Sequence, residues 1–215
     1  MFLKLFVFDL DNTLYKGNCS LLFFKFLFKK RVFGFFSLFL PALFFLRYQI
    51  GLLSVLDLHK KIFKNFLSGK NLQVFQAHVS EFLDLYLMAS LNTQVIQHLK
   101  ESQLQGEASL LLSSSPEFLV RPIAERLNIQ MIQATEYVKN DLNQLSEFSI
   151  IIHGEEKAKF LQKIAQKMDL KKEDLIGYSD SYDDLPFLKN CGTVYLVNPD
   201  RKLKAAGLKY GWKTM

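Results

Sequence analysis

An α/β fold is predicted, with a mostly parallel sheet covered by helices on both faces and an all-helical segment inserted into it. Three observations carry the expectation. Short apolar runs recur and end in clusters of acidic or hydroxyl side chains; helical spacing fills the intervals between those runs; and roughly 80 residues between the first and second runs show helical periods alone. The 215 residues are 49% hydrophobic and 22% charged, enough to bury one substantial core and to exclude disorder. Ten Gly and five Pro exclude collagen-like and low-complexity classes.

Residues 3–8 form an apolar run of large side chains, directly followed by Asp9-Leu10-Asp11-Asn12-Thr13, which reads as a buried strand ending in a functional loop. From 20 to 100 the periods lengthen. Apolar residues fall three and four apart over 56–67, 74–87 and 93–99, so the interval is expected to be helical. Strand character returns at 108–112. Ser113-Ser114-Ser115-Pro116 follows, with Ser115 expected to cap a helix over 116–127. Further strands are expected at 130–132, 149–152, 175–178 and 193–197, with helices at 155–168 and 184–189 between them. The division that results is a core of 1–18 plus 101–215, and an inserted helical cap of 19–100 whose part 32–56 is hydrophobic.

The net charge of +6 is concentrated in one place. No acidic residue lies between Asp11 and Asp57, whereas Lys16, Lys25, Lys29, Lys30, Arg31 and Arg47 do, so the rest of the chain is close to neutral and no nucleic-acid partner is expected. Ten of the 21 phenylalanines fall between Phe23 and Phe45. The uncharged run 32–46 is 15 residues long, short of the roughly 17–25 that span a bilayer, and Gly34 and Pro41 interrupt it. Two readings stand: a shallow helical hairpin that touches a membrane surface through 25–56, or an apolar helix buried in the cap. Asp9 and Asp11 break the N-terminal apolar stretch, which argues against a signal peptide. Cys19 and Cys191 offer neither a bridge framework nor metal-ligand spacing. A reducing, cytoplasmic setting is therefore expected, either free or at the inner face of the membrane. His59, His78, His98 and His153 have no ligand spacing, and Tyr210 and Trp212 read as edge packing.

Four polar clusters follow strands or open helices: Asp9 with Asp11, Ser113, Lys157, and Asp180 with Asp184. Each alone has an ordinary reading as a cap, a solvated loop or a surface residue. A parallel sheet, however, gathers its strand ends into one crevice. Carboxylates crowded there repel and need a cation, and an all-oxygen donor set without supporting His favours Mg²⁺ over Zn²⁺. Such an ion leaves room for a phosphate, and Lys and Ser suit the remaining phosphoryl oxygens. Phosphoryl transfer is the expected chemistry, with one aspartate as nucleophile toward phosphorus and the other as proton carrier.

These clusters resemble the four motifs of the haloacid dehalogenase (HAD) superfamily of phosphatases. Asp9-Leu10-Asp11-Asn12-Thr13 is similar to its Asp-x-Asp-x-Thr motif, Ser113 behind Leu110-Leu111-Leu112 to the second, Lys157 to the third, and Ser179-Asp180-Ser181-Tyr182-Asp183-Asp184 to the fourth. The resemblance implies a Rossmann-like core and a magnesium-dependent phosphoric monoester hydrolase working through an aspartyl-phosphate. Asp9 is then the nucleophile and a Mg²⁺ ligand. Asp11 is the general acid/base, its backbone carbonyl also meeting the metal. Ser113 and Lys157 bind the transferring phosphoryl group, Asp180 ligates the metal directly, and Asp184 supports it through water. The four-residue step selects Asp184 over its neighbour Asp183. Asn12 and Ser179 stand where the family often has Gly. The insert, Ser115-Pro116 and Asn198-Pro199-Asp200-Arg201 resemble the phosphoserine-phosphatase-like branch (subfamily IB). The hydrophobic cap behind a basic cluster is similar to bacterial phosphatidylglycerophosphate phosphatases, which implies a lipid phosphate as substrate. A phosphorylated small molecule such as phosphoserine is the competing substrate, and a non-catalytic membrane-associated scaffold is the competing class.

Overall fold

The computed structural model describes residues 4–33 and 39–215. Residues 1–3, where the first run begins, and 34–38 of the apolar run, Gly34 included, lie outside the described residues. Seven strands form one sheet: β1 (Leu5–Asp9), β2 (Ala108–Pro116), β3 (Met131–Lys139), β4 (Leu145–Ile150), β5 (Leu175–Ser179), β6 (Thr193–Leu196) and β7 (Lys213–Thr214), in the order β4-β3-β2-β1-β5-β6-β7. β1 pairs in parallel with β2 on one side and β5 on the other. The chain direction across the sheet therefore reverses at β1, and a crevice opens beyond its carboxyl end.

Both sheet faces are buried, as parallel strands require. Leu5, Val7, Leu110 and Leu112 point to one face and pack with Leu161 and Ala165 of α7 (Glu155–Lys167), Phe187 of α8 (Leu185–Leu188) and Leu203 of α9 (Arg201–Tyr210). Their neighbours Phe8 and Leu111 point to the other, where α5 (Thr93–Leu104) and α6 (Glu117–Arg126) bring Val95, Leu99, Leu119 and Ile123. The alternation is the two-residue period of a strand.

The helical insert comprises α1 (Cys19–Lys29), α2 (Phe39–Gln49), α3 (Val55–Ile62) with a π turn at Phe63–Leu67, and α4 (Leu72–Ser90). Asn18 caps α1 through its side-chain oxygen, which accepts from the Leu21 amide at 2.8 Å. The apolar sides of α1 and α4 meet through Phe23, Phe26 and Phe82. α5 packs against β2, beneath the sheet.

The structure departs from the sequence expectations in several places. The strand expected at 149–152 ends at Ile150 and runs antiparallel to β3. This hairpin leaves the sheet edge and stacks Tyr137 and Phe148 on Phe63 of the insert, so an aromatic cluster lengthens β3 beyond the run that its own sequence marks. The helix expected at 184–189 is a 3₁₀ turn (Tyr182–Asp184) followed by α8. α9 and β7 were not expected. Asp200 caps α9 and Gly211, at φ 68°, ends it, while Tyr210 stacks on Trp212 at 4.9 Å. Among the described residues no helix is long and apolar enough to cross a membrane.

Candidate active site

β1 delivers Asp9 to the mouth of the crevice, where its pairing with β2 ends. The chain then turns tightly: the Leu14 amide donates to the Asp9 carbonyl and the Tyr15 amide to that of Leu10. Asn12 occupies the left-handed region at φ 57°, which Asn tolerates far better than most side chains, so the residue standing in for Gly keeps the turn. Asp11 faces the first turn of α1 and accepts the Cys19 amide at 2.6 Å and the Ser115 hydroxyl at 2.7 Å. The expected capping role of Ser115 is thus corrected. α6 starts behind Pro116 with no side-chain cap, and the buried Ser115 hydroxyl, itself accepting from Ser20 at 2.7 Å, positions Asp11.

Gly154, at φ 47°, brings the chain from β4 into α7 and sets Lys157 in the first turn of that helix. The Lys157 ammonium is almost fully buried and donates to Asp9 Oδ1 at 2.6 Å and to Asp184, whose Oδ1 is 2.7 Å away. Asp184 also accepts from the Ser179 hydroxyl at 2.7 Å. Ser179 stands where the resembling motif often has Gly, and here its hydroxyl orients a carboxylate. Asp180 lies across the cleft, with the Thr13 hydroxyl 3.4 Å from its Oδ1. Asp183 is exposed, its amide donating to Ser181, whereas its neighbour Asp184 is buried against Lys157. Asp9, Asp11, Lys157, Asp180 and Asp184 therefore share one cleft of about 410 Å³. Ser113, expected in the site, is not among the residues that line this cleft. It is fully buried, its hydroxyl accepts from the Ser115 amide at 3.1 Å, and Ser114 supplies the cleft wall at that point.

Sequence reasoning did not single out Ser115 and Ser179 as functional, because a hydroxyl's partner is set by long-range folding. Ser115 meets a residue 104 positions away. The other side of the cleft is formed by Phe45, Tyr48, Leu58 and His59 from α2 and α3.

The electrostatics state what the site needs. Five carboxylates line the cleft and one ammonium answers them. Burial pushes Asp9 well above the ordinary carboxylate range; Lys157 opposes the rise, and Asp184 and Asp180 add to it. Burial, then Asp184, pushes Asp180 up to about 7. Asp11 is raised by burial too, against the hydrogen bonds from Cys19 and Ser115. Burial works against the Lys157 ammonium, and the carboxylates of Asp184 and Asp9 more than offset it, holding its pKa above the usual Lys value. Among the described residues no three Asp, Glu, His or Cys side chains converge as a ligating cluster, and Lys157 bridges Asp9 and Asp184 instead. The donor set nonetheless fits a hard divalent ion. It offers oxygens alone and carries an excess of negative charge that a cation would relieve.

The fold and this cleft mark a class that comparison with known proteins identifies. Residues 6–189 match the haloacid dehalogenase-like hydrolase family, and the chain belongs to it. It is 33% identical over 113 residues to a probable phosphatase of Mycobacterium tuberculosis, an alignment covering 53% of this chain and 39% of that protein. It is 25% identical over 219 residues to a histidinol-phosphatase of Neisseria meningitidis, covering 99% of this chain and 98% of that one. The chain thus spans about two fifths of the mycobacterial relative's length. Among solved structures, a Bordetella pertussis protein of unknown function superposes with a TM-score of 0.84 at 22% identity, covering 100% of this chain and 99% of that one. A substrate-bound phosphoserine phosphatase superposes at 0.69 and 17% identity, covering 96% and 97%. These likenesses bear on the fold, which is the phosphoserine-phosphatase-like form of the family.

Proposed function

We propose that this chain is a Mg²⁺-dependent phosphoric monoester hydrolase that works through an aspartyl-phosphate on Asp9. The observation that carries the reading is the meeting of Asp9, Asp11, Lys157, Asp180 and Asp184 in one cleft at the sheet's switch point. Asp9, Asp180, Asp184 and the Asp11 carbonyl would hold the ion, which when bound supplies positive charge to the phosphoryl oxygens. A carboxylate oxygen of Asp9 attacks phosphorus, the bond from phosphorus to the ester oxygen breaks, and Asp11 passes its proton to the leaving alkoxide. Burial favours the protonated form of Asp11 that this step needs. Asp11, now a carboxylate, takes a proton from the water that attacks the acyl phosphate, and inorganic phosphate leaves with Asp9 restored. Lys157 balances the charge gathered on the phosphoryl group, and Ser113 belongs to the same phosphate-binding assignment.

The substrate is a phosphorylated small molecule or a lipid phosphate such as phosphatidylglycerophosphate. Relatives named as a phosphoserine phosphatase and a histidinol-phosphatase support the first; they are 30% identical over 50% of this chain and 25% identical over 99% of it. α2 supports the second, since Phe39, Leu40, Leu43 and Leu46 are exposed on it, and Ile50 just after it, within a segment of net charge +6 that suits the inner face of a membrane. A non-catalytic scaffold is disfavoured, because every position the reaction requires is filled. Phosphate release from p-nitrophenyl phosphate tests the proposal. Asp9→Asn is expected to lower the rate by at least about a thousandfold and chelator to abolish it. Unchanged turnover in Asp9→Asn rejects the assignment.

A further inference from the structure

Behind the catalytic cleft lies a second cavity, and it is apolar. Phe24, Leu27, Phe33, Leu67, Phe75 and Phe118 contribute to its walls, and it encloses about 140 Å³. It adjoins the cleft. Asn18, Leu21, Phe45, Leu58, His59 and Ser114 line both, so the wall of one is the rim of the other.

The chemistry of the lining selects what enters. Among the described residues the cavity has no Lys, Arg, Asp or Glu, and its polar groups are hydroxyls, the amide of Asn18 and the imidazole of His59. His59 is held neutral, since burial and His153 lower its pKa to about 4. A leaving group bearing an ammonium or a carboxylate would lose its hydration there without gaining a charged partner, which is costly. An alkyl or polyprenyl chain would meet mostly aromatic and aliphatic walls and no charged side chain among the described residues. Apolar cavities of about 150 Å³ take up a six-carbon ring, so the space suits roughly six carbons of such a chain.

We infer that this cavity receives the apolar chain of the leaving alcohol, so that the preferred substrate is the monophosphate of an alcohol with a long apolar tail. The inference rests on the phosphatase reading and adds the substrate class to it. α2 joins the two compartments to the exterior: Pro41 and Phe45 face the cavity, while Leu43 and Leu46 on the opposite side face out.

The test is a series of linear alkyl monophosphates from ethyl to dodecyl, each below its micelle concentration, with phosphoserine beside them. The ratio kcat/KM is expected to rise about fourfold per buried methylene and to level off near six carbons, with phosphoserine at or below the ethyl ester. Calorimetric titration with the matching alkylphosphonates should show the same dependence without turnover. Ile62→Trp and Leu67→Phe fill the cavity from positions that do not line the cleft. In whichever variant keeps the wild-type melting curve, the rise should flatten while ethyl phosphate is hydrolysed as before. A flat series in wild-type protein, in both rate and phosphonate affinity, overturns the inference and leaves the phosphatase reading intact. Phosphonate affinity that rises with length, with no phosphate released from any ester, supports the cavity and overturns the phosphatase reading. Phosphatidic acid in phosphatidylcholine vesicles separates the sources of the tail. Its hydrolysis points to a membrane lipid, and hydrolysis of monomeric alkyl phosphates alone points to a soluble ester.

Discussion

Lys157 is the residue on which the resting cleft depends. Its ammonium is buried between Asp9 and Asp184, and removing one member of a buried ion cluster leaves charge without a partner. Lys157→Met is therefore expected to cost about 3–5 kcal/mol in chelator at neutral pH, read by urea unfolding. Added Mg²⁺ should restore part of the loss, because it supplies the missing positive charge. Ser115→Ala is a milder change. It removes a hydroxyl from Asp11 and is expected to lower kcat about ten- to a hundredfold with KM little altered, since a hydrogen bond to a charged group contributes about 1.5–3 kcal/mol. His59 predicts an acid-side loss of stability. Its folded pKa, lowered to about 4 by burial, lies below the ordinary value of 6.5, so the unfolded chain binds the proton first. The contribution is complete above about pH 6.5 and is lost as pH falls through about 4. The raised pKa values of Asp9 and Asp180 act in the opposite direction, so the measurement is the difference between wild type and His59→Gln. That difference should amount to about 1–2 kcal/mol, reduced from the full shift because the ring is partly exposed.

At the scale of elements, close approach decides what is tolerated. A Cβ on Gly192 would lie 2.7 Å from the Glu173 Cα and 2.8 Å from the Lys172 carbonyl, backbone atoms that cannot swing aside. Gly192→Ala is expected to destabilise by about 2 kcal/mol or more and to loosen the start of β6, visible as a lower melting temperature. α2 carries the opposite feature, apolar side chains on both of its faces. Leu43 and Leu46 are about half exposed, and a basic segment surrounds them. Leu43→Glu with Leu46→Glu should abolish sedimentation with anionic vesicles while leaving hydrolysis of ethyl phosphate unchanged. The expectation fails if wild-type protein stays wholly in the supernatant at low salt. The segment is neither wholly buried nor wholly exposed: Pro41 and Phe45 turn inward, Leu43 and Leu46 outward.

For the molecule as a whole, the sheet order explains why five distant residues meet in one cleft. β1 lies between β2 and β5, so Asp9, the Ser113–Ser115 end of β2 and Asp180 emerge side by side, and α7 adds Lys157 from beyond the edge hairpin. The insert closes this end with aromatic packing, Phe23 on Phe82 and Phe63 on Tyr137, and in doing so builds the apolar cavity next to the chemistry.

The sequence by itself determined the alternation of strands and helices and the polar clusters at strand ends, because each is written in local period and residue type. Its reading of β4 and of Ser115 failed for a shared reason. An edge strand is set by what it packs against, here Phe63, and a hydroxyl's role by its partner, here Asp11, and both partners lie far away in the chain. The tertiary structure alone decided that the Ser179 hydroxyl orients Asp184 and that phenylalanines scattered through the insert enclose a cavity. Burial and contact are properties of the folded packing, and no stretch of sequence carries them by itself.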